Sequence, residues 1–402
     1  MEILFWLFLA IVIYTYLGYG ILLTLLVKIK QRISKPFIPR SYIPEHALPS
    51  VTHLVAAYNE EEFIEYKINN SLKLDYPKEK MNLIIVSDGS SDKTPELAGQ
   101  YTEVTHMFEP ERKGKIAAVK RAMKEVETSI VIFSDANTYL NKDAIKKIVA
   151  HFEDVRVGAV AGEKRIYKPE ETSASVAGEG LYWKYESYLK RMDSEFYSVV
   201  GAAGELFAIR KELMPVVPTD TIIEDLYLTM SIAMKGRRVA YESEAYAMET
   251  GSSSIEEEMK RKVRICAGGF QAIQRLKEVF NPFTYKWLTF QFISHRALRW
   301  TLAPLALPIV FLSNFFLCFS QNPLYLSLFA GQVLFYLLAG FGYLKRNEKR
   351  QNPIFFVPFY FSMMHFSAFK GFARFLKKNQ TVVWERAERK TGQELVGSNS
   401  SH

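Results

Sequence analysis

A chain of 402 residues has room for one large soluble domain plus membrane elements. Its apolar content of 49% and aromatic content of 14%, with 29 Phe and 22 Tyr, exceed those of an ordinary soluble protein. The formal charge of +8 suits nucleic acid, anionic lipid or anionic substrate, but much of it sits beside apolar segments, which favours lipid headgroups over nucleic acid. Cys266 and Cys318 are the only cysteines and stand in unrelated contexts, which argues against a disulfide framework or a cysteine metal site.

The first segment, Ile3 to Val27, is apolar and long enough to cross a bilayer. Met1-Glu2 lacks the basic start of a cleaved signal peptide, so residues 1–33 read as an uncleaved transmembrane anchor. Lys28, Lys30, Arg32 and Lys35 follow it and place that flank in the cytoplasm. Residues 34–50 hold four prolines and read as a linker.

From Val51 short apolar runs alternate with helical patterns, as in βαβ units with a mostly parallel sheet. The spacing predicts strands over 51–57, 82–87, 103–108 and 129–134, with helices over 61–74, 94–100, 115–126 and 142–152. Beyond Val157 the alternation loosens, and a long aromatic helix is expected from about Glu179 to Tyr197. Residues 259–280 read as a basic amphipathic helix pair at the membrane surface. Membrane helices are expected from Trp300 to Phe319 and from Leu324 to Leu344, with a re-entrant or interfacial third segment from Ile354 to Phe369. The resulting division is a soluble domain over 51–250, interfacial helices over 251–299, membrane helices over 300–376 and a polar tail over 377–402.

In an open α/β sheet, ligands bind beyond the carboxyl ends of the strands. Ala57-Tyr58-Asn59-Glu60, Asp88-Gly89-Ser90 and Asp135-Ala136-Asn137 each follow an apolar strand directly. Three such ends on one edge can hold a base, a ribose and a diphosphate. Taken singly, the Asp-containing sites also read as turns or N-caps. Arg112-Lys113-Gly114-Lys115 precedes a helical pattern, where glycine and free helix-start amides suit an anion. Asp135 and Asn137 offer oxygen ligands of the kind that suit Mg2+ or Mn2+. Glu224-Asp225 could supply a general base, or simply the acidic first turn of a helix. Ile222 and Ile223 before it suggest a partly apolar setting that raises a carboxylate's proton affinity.

In order, these motifs resemble membrane-integrated glycosyltransferase family 2, the group of cellulose, chitin, hyaluronan and poly-N-acetylglucosamine synthases and ceramide glucosyltransferases. The resemblance runs from Val51 to Arg264 and continues more weakly through Ser294–Trp300 and Val383–Arg389. It implies a GT-A type, Rossmann-like mixed α/β sheet and a cytoplasm-facing, inverting enzyme that moves a sugar from a UDP-sugar to a saccharide or lipid-linked acceptor. It further implies that Ala57, Tyr58, Glu60, Asp88 and Ser90 bind the nucleoside, and that Lys113 or Lys115 lies near the diphosphate. Asp135, Ala136 and Asn137 match the family's DxD, with Asn in place of its second Asp. Gly204 and Glu205 match the acceptor stretch, and Glu224-Asp225 matches the ED motif, with Asp225 as base. Arg261 and Arg264 match the arginines of (Q/R)xxRW, where they would stabilise the departing nucleotide. The Trp of that motif is Ile265 here, which leaves processive elongation without support. A transferase acting once per lipid acceptor is the alternative reading, followed by a nucleotide-binding scaffold without turnover. Membrane lipids are expected partners, nucleic acid is not, and a homo-oligomer would help to supply an export path.

Overall fold

The computed structural model describes residues 1–34, 43–167, 174–346, 348 and 352–377, which form two compact units. One is built on a sheet and holds described residues from 31–167 and 183–251; the other is helical and holds those from 1–30, 174–182 and 252–377. The 383–389 stretch lies outside the described residues, as does part of the linker.

The helical unit opens with α1 (Glu2–Ile33), in which a five-residue π-turn covers Tyr14–Gly18. The sheet unit then takes β1 (Val51–Ala57), α2 (Ile64–Leu72), β2 (Met81–Asp88), α3 (Thr94–Gly99), β3 (Val104–Glu109), α4 (Lys115–Ala122) and β4 (Ile130–Asp135). These fall within two residues of the predicted strands. The apolar runs stay unbroken because parallel strands are covered on both faces. After β5 (Tyr139–Leu140), α5 (Ala144–Ala150) and β6 (Val157–Tyr167) comes the long helix α6 (Ala174–Phe196), five residues longer at its start than expected. β7 (Leu206–Arg210), α7 (Glu224–Met234) and β8 (Arg238–Thr250) complete the sheet unit.

Strand order is β3-β2-β1-β4-β7-β6-β8-β5. The first four strands are mutually parallel, β7 runs antiparallel to both β4 and β6, and β6 and β8 are parallel. The sheet is therefore mixed, as the resemblance implies. Strands grow from β1 toward β3 on one side, whereas β4 adds on the other, so the order reverses between β1 and β4. That reversal opens a crevice at the carboxyl ends of the strands. Register fixes what lines it: Ala57 pairs with Ser87, Ala56 with Asp135, and Asp88 with Glu109. Behind the edge, Phe133 and Phe207 stack across β4 and β7 with centroids 4.7 Å apart.

In the helical unit, α8 (Ile255–Arg275) is a single helix rather than the expected pair. Gly268-Gly269 does not break it, since the Trp300 ring lies where a Cβ at Gly269 would stand, and such packing outweighs the helix cost of glycine. The basic stretch is thus one helix followed by a single turn over Lys277–Phe280. Next come α9 (Leu302–Leu317), α10 (Pro323–Leu344) and α11 (Pro353–Leu376). Among the described residues, three helices are long and apolar enough to cross a membrane: Glu2–Ile33, Leu302–Ser320 and Pro323–Leu344. The third C-terminal segment, expected to be re-entrant or interfacial, is a continuous 24-residue helix. Pro358 falls near its start and removes one ladder bond there without breaking the helix.

Candidate active site

Asp88 closes β2 and is 4% exposed. Its Oδ2 accepts the backbone N–H groups of Lys113 and Gly114 at 3.1 and 2.6 Å. The basic loop is therefore tied down by its own backbone. Gly89 permits this closeness: it has φ +66, and a Cβ there would stand 2.6 Å from the Arg112 Cα. Asp88 Oδ1 is buried without a hydrogen bond, with Arg121 Nη1 4.0 Å away. Arg112 folds over the Tyr58 ring at 3.4 Å. Ala57, Tyr58, Asp88, Arg112, Gly114 and Lys115 are among the residues that line a cleft of about 320 Å3. An unsatisfied carboxylate oxygen beside an aromatic ring and a guanidinium suits a base and its phosphates.

The loops after β1 and β2 are stitched together. Asn59 has φ 51, and its Oδ1 accepts the Ser91 N–H at 2.8 Å. The Asn59 N–H donates to Ser90 Oγ at 3.1 Å, and the Glu60 N–H to Thr94 Oγ1 at 2.7 Å. Ser90 thus helps to hold the tip of the β1 loop, while Glu60 is half-buried beside it. Ala57 and Ala136 pack their methyl groups into the β1–β2 core, so only their backbones are left to face a ligand.

Across the crevice, Asp135 closes β4. Its Oδ1 takes a 2.8 Å ion pair from Lys115 Nζ, which also meets Glu224 Oε1 at 2.8 Å. Lys113 instead pairs with Glu109 and Glu111 at the surface. Gly204 completes the cluster: a Cβ built on it would lie 3.5 Å from Lys115 Nζ, 3.6 Å from Asp225 Oδ2 and 3.8 Å from Asp135 Oδ2. Gly204 therefore leaves open a space that three charged groups share. Glu224 and Asp225 form the first turn of α7, and Asp225 Oδ1 accepts the Leu226 N–H at 2.8 Å. The pair thus starts a helix, with Asp225 Oδ2 beside the Gly204 space.

The electrostatics follow from three carboxylates crowding one ammonium. Burial, followed by the Glu224 charge, pushes the Asp225 carboxyl up to about 7. Burial likewise raises Asp135, with Lys115 acting in the opposite direction. Lys115 is driven down by burial, but Asp135 and Glu224 outweigh this and hold it above its ordinary value. Next to the cluster, Glu205 pairs with the fully buried Lys164 at 2.5 Å, and Lys164 also pairs with Glu249. Burial works to raise Glu205, yet Lys164 keeps it below the usual carboxylate range.

Among the described residues, no three His, Cys, Asp or Glu side chains stand close enough to hold a metal by themselves. The donor set still suits a hard cation. The cluster carries an excess of negative charge, and Asp135 Oδ2 faces the space beside Gly204. Asp135 would supply an oxygen and phosphates the remainder, as Mg2+ and Mn2+ usually require. Asn137 is half-buried.

Residues 52–216 match Glycosyl transferase family 2. The matched stretch runs from β1 to the segment between β7 and α7. Among curated relatives, the poly-beta-1,6-N-acetyl-D-glucosamine synthase of Staphylococcus aureus (strain COL) is 27% identical over 237 residues, 57% of this chain and 56% of that protein. The synthase of the same name from Staphylococcus epidermidis is 25% identical over 235 residues, 56% of each chain. This chain spans little more than half the length of these relatives. A solved structure, the mannosyltransferase PcManGT from Pyrobaculum calidifontis in complex with GDP-Man and Mn2+, superposes with a TM-score of 0.68 at 21% identity. It covers 94% of this chain and 99% of that one, and the two share a fold.

Arg261 and Arg264 lie on α8, in the helical unit. Arg261 is committed to Glu258 at 2.9 Å. Glu258 also meets Lys262 at 3.4 Å and accepts from Tyr360 on α11 at 3.0 Å. Burial would raise its carboxyl, but Arg261 and Lys262 bring it to about 2. Arg121 and Lys164 carry no signal in the sequence, while Asn59 and Arg112 stand there only as members of their motifs.

Proposed function

We propose that this chain is an inverting glycosyltransferase that moves a sugar from a nucleotide-sugar donor, most simply a UDP-sugar, to a saccharide or lipid-linked acceptor. One observation carries the reading: Asp135, Lys115 and Asp225 meet at the space left by Gly204, with Glu224 paired to Lys115, beside a cleft that Asp88, Tyr58 and Arg112 line.

The base would lie against Tyr58 and Asp88, and the diphosphate would run past Gly114 and Lys115 toward Asp135. A bound Mg2+ or Mn2+ would neutralise charge on the diphosphate leaving group. Asp225 takes the proton of the acceptor hydroxyl. That oxygen then bonds to the anomeric carbon while the carbon–oxygen bond to the diphosphate breaks, with inversion. A carboxyl poised near 7 suits this task, since a base must be ionised yet hold a proton well. Lys115 remains on the leaving-group side as a fixed positive charge.

The three membrane-length helices and the basic flank at Lys28, Lys30 and Arg32 support a membrane protein with its sheet unit on the cytoplasmic side. The names of the relatives place N-acetylglucosamine first among sugars to try, with GDP-mannose as the contrasting donor. Ile265 at the place of the family's Trp favours single additions to a lipid-linked acceptor over chain growth. The test is purified protein in lipid bilayers, challenged with a panel of UDP- and GDP-sugars, scoring nucleotide release and product mass. Release from one donor with a product one sugar heavier supports the proposal. No release from any donor, with and without added lipid acceptor, sinks it.

A further inference from the structure

Lys67, on α2, is 1% exposed, yet among the described residues it makes no ion pair. Its Nζ donates to the Thr138 carbonyl at 3.0 Å and to Thr138 Oγ1 at 3.1 Å. Thr138 Oγ1 in turn donates to the Asp135 carbonyl at 2.8 Å, which closes the turn that presents Asp135 and Asn137. One helical turn along α2, Asn70 grips the next residues: its Oδ1 accepts the Leu140 N–H at 2.8 Å and its Nδ2 donates to the Leu140 carbonyl at 2.9 Å. The face of α2 is thus a two-point clamp on the chain leaving Asp135.

Burying an ammonium without a carboxylate partner is costly, and an apolar side chain of similar length would fill the same volume without that cost. What the lysine adds is donors for Thr138 and a positive charge behind Asp135. Burial lowers its pKa to about 7, with the Asp135 charge acting in the opposite direction. His53, on β1, also senses the Lys67 charge.

We infer that Lys67 is a positioning residue, which holds the Asp135–Thr138 turn from behind so that Asp135 faces the metal–diphosphate side of the cleft. This rests on the function proposed above, and the test separates the two. Hydrogen exchange is measured on the full chain in lipid bilayers for wild type, Lys67→Met, Lys67→Gln, Thr138→Val, the Lys67→Met/Thr138→Val pair and Ile148→Val. The last trims a buried core side chain on α5 and serves as a stability control. UDP affinity with and without Mn2+ is titrated on the same samples.

In Lys67→Met the Asn137 and Thr138 amides should exchange at least about tenfold faster while the Leu140 amide, held by Asn70, keeps its protection. Mn2+-dependent UDP affinity should fall about 10- to 100-fold, the usual size for loss of an outer-shell partner. Thr138→Val keeps the Thr138 carbonyl bond to Lys67 but loses the one to the Asp135 carbonyl, so it should speed exchange at the same amides, and the pair should fall short of the sum of the two single effects. Lys67→Gln, which keeps a donor without charge, should fall between. If Lys67→Met does not fold, Thr138→Val decides. Loss of protection at Leu140 together with Thr138, or exchange no faster than in Ile148→Val at equal Tm, would overturn the assignment. Should wild type fail to bind UDP with Mn2+, the UDP-sugar reading falls, while the exchange pattern still judges Lys67.

Discussion

The parallel half of the sheet, β3-β2-β1-β4, and the other half, β7-β6-β8-β5, satisfy their polar groups in different ways. At the ligand edge of the parallel half, polar side chains hold backbone amides and short loops: Asp88 holds the Lys113 and Gly114 N–H groups, and Asn59 and Ser90 bind their neighbouring loops. In the other half carboxylates are met by side chains far away in sequence. Lys164 on β6 neutralises Glu205 and Glu249, and Glu163 meets Ser187 and Tyr241. The first arrangement makes a rigid mould for a ligand of fixed shape. The second makes a charged interior whose balance depends on single buried lysines.

The largest expected effect falls on the seam between the halves. Asp225→Asn should lower turnover about 100- to 10,000-fold, the range for loss of a general base, with UDP affinity within about threefold of wild type. Steady-state release and equilibrium titration together check this, and near-normal turnover would remove Asp225 as the base. In the second half, Lys164→Met strands two buried carboxylates and should cost about 3–5 kcal/mol of stability. Denaturant unfolding checks it, and a loss below about 1 kcal/mol would deny the lysine its balancing part.

Asp135→Ala should weaken Mn2+-dependent UDP binding by more than the roughly 10- to 100-fold of an outer-shell partner and leave metal-free binding nearly as it was. Equal affinity with and without Mn2+ in the wild type would count against the metal site. With pH, kcat/KM should rise as Asp225 sheds its proton through about 7. The sign for stability is the reverse. A carboxyl raised in the fold binds its proton more tightly there than in the unfolded chain. Its contribution is therefore full below the ordinary carboxylate range and is lost as pH climbs through about 7. Asp225→Asn should flatten both trends. The smallest effect is in the parallel half: Arg112→Ala removes the stack on Tyr58 and should cost about 0.5–1 kcal/mol, or two- to fivefold in UDP affinity.

The same contrast explains what could be read from the residues alone. β1, β2, β3 and β4 announced themselves as apolar runs, and Asp88 and Asp135 stood at their ends, because parallel topology puts ligand groups directly after buried strands. The mixed half gave no such pattern. Nothing near Lys164 in the chain points to Glu249, and nothing near Lys67 points to Thr138; only the folded sheet brings them together. Lys113 and Lys115 looked equivalent in the basic loop, yet the start of α4 turns Lys115 toward Asp135 and leaves Lys113 at the surface. The single helix α8 was not legible for a related reason. Gly268-Gly269 looks like a break by propensity, but propensity is a weak prior where tertiary packing decides.

The most direct test is a cryo-EM structure of the full chain in lipid with UDP and Mn2+. The account predicts the base against Tyr58 and Asp88, the cation on Asp135, and Lys115 at the diphosphate, with Asp225 facing the open end. Nucleotide bound elsewhere, or a cation away from Asp135, would contradict it.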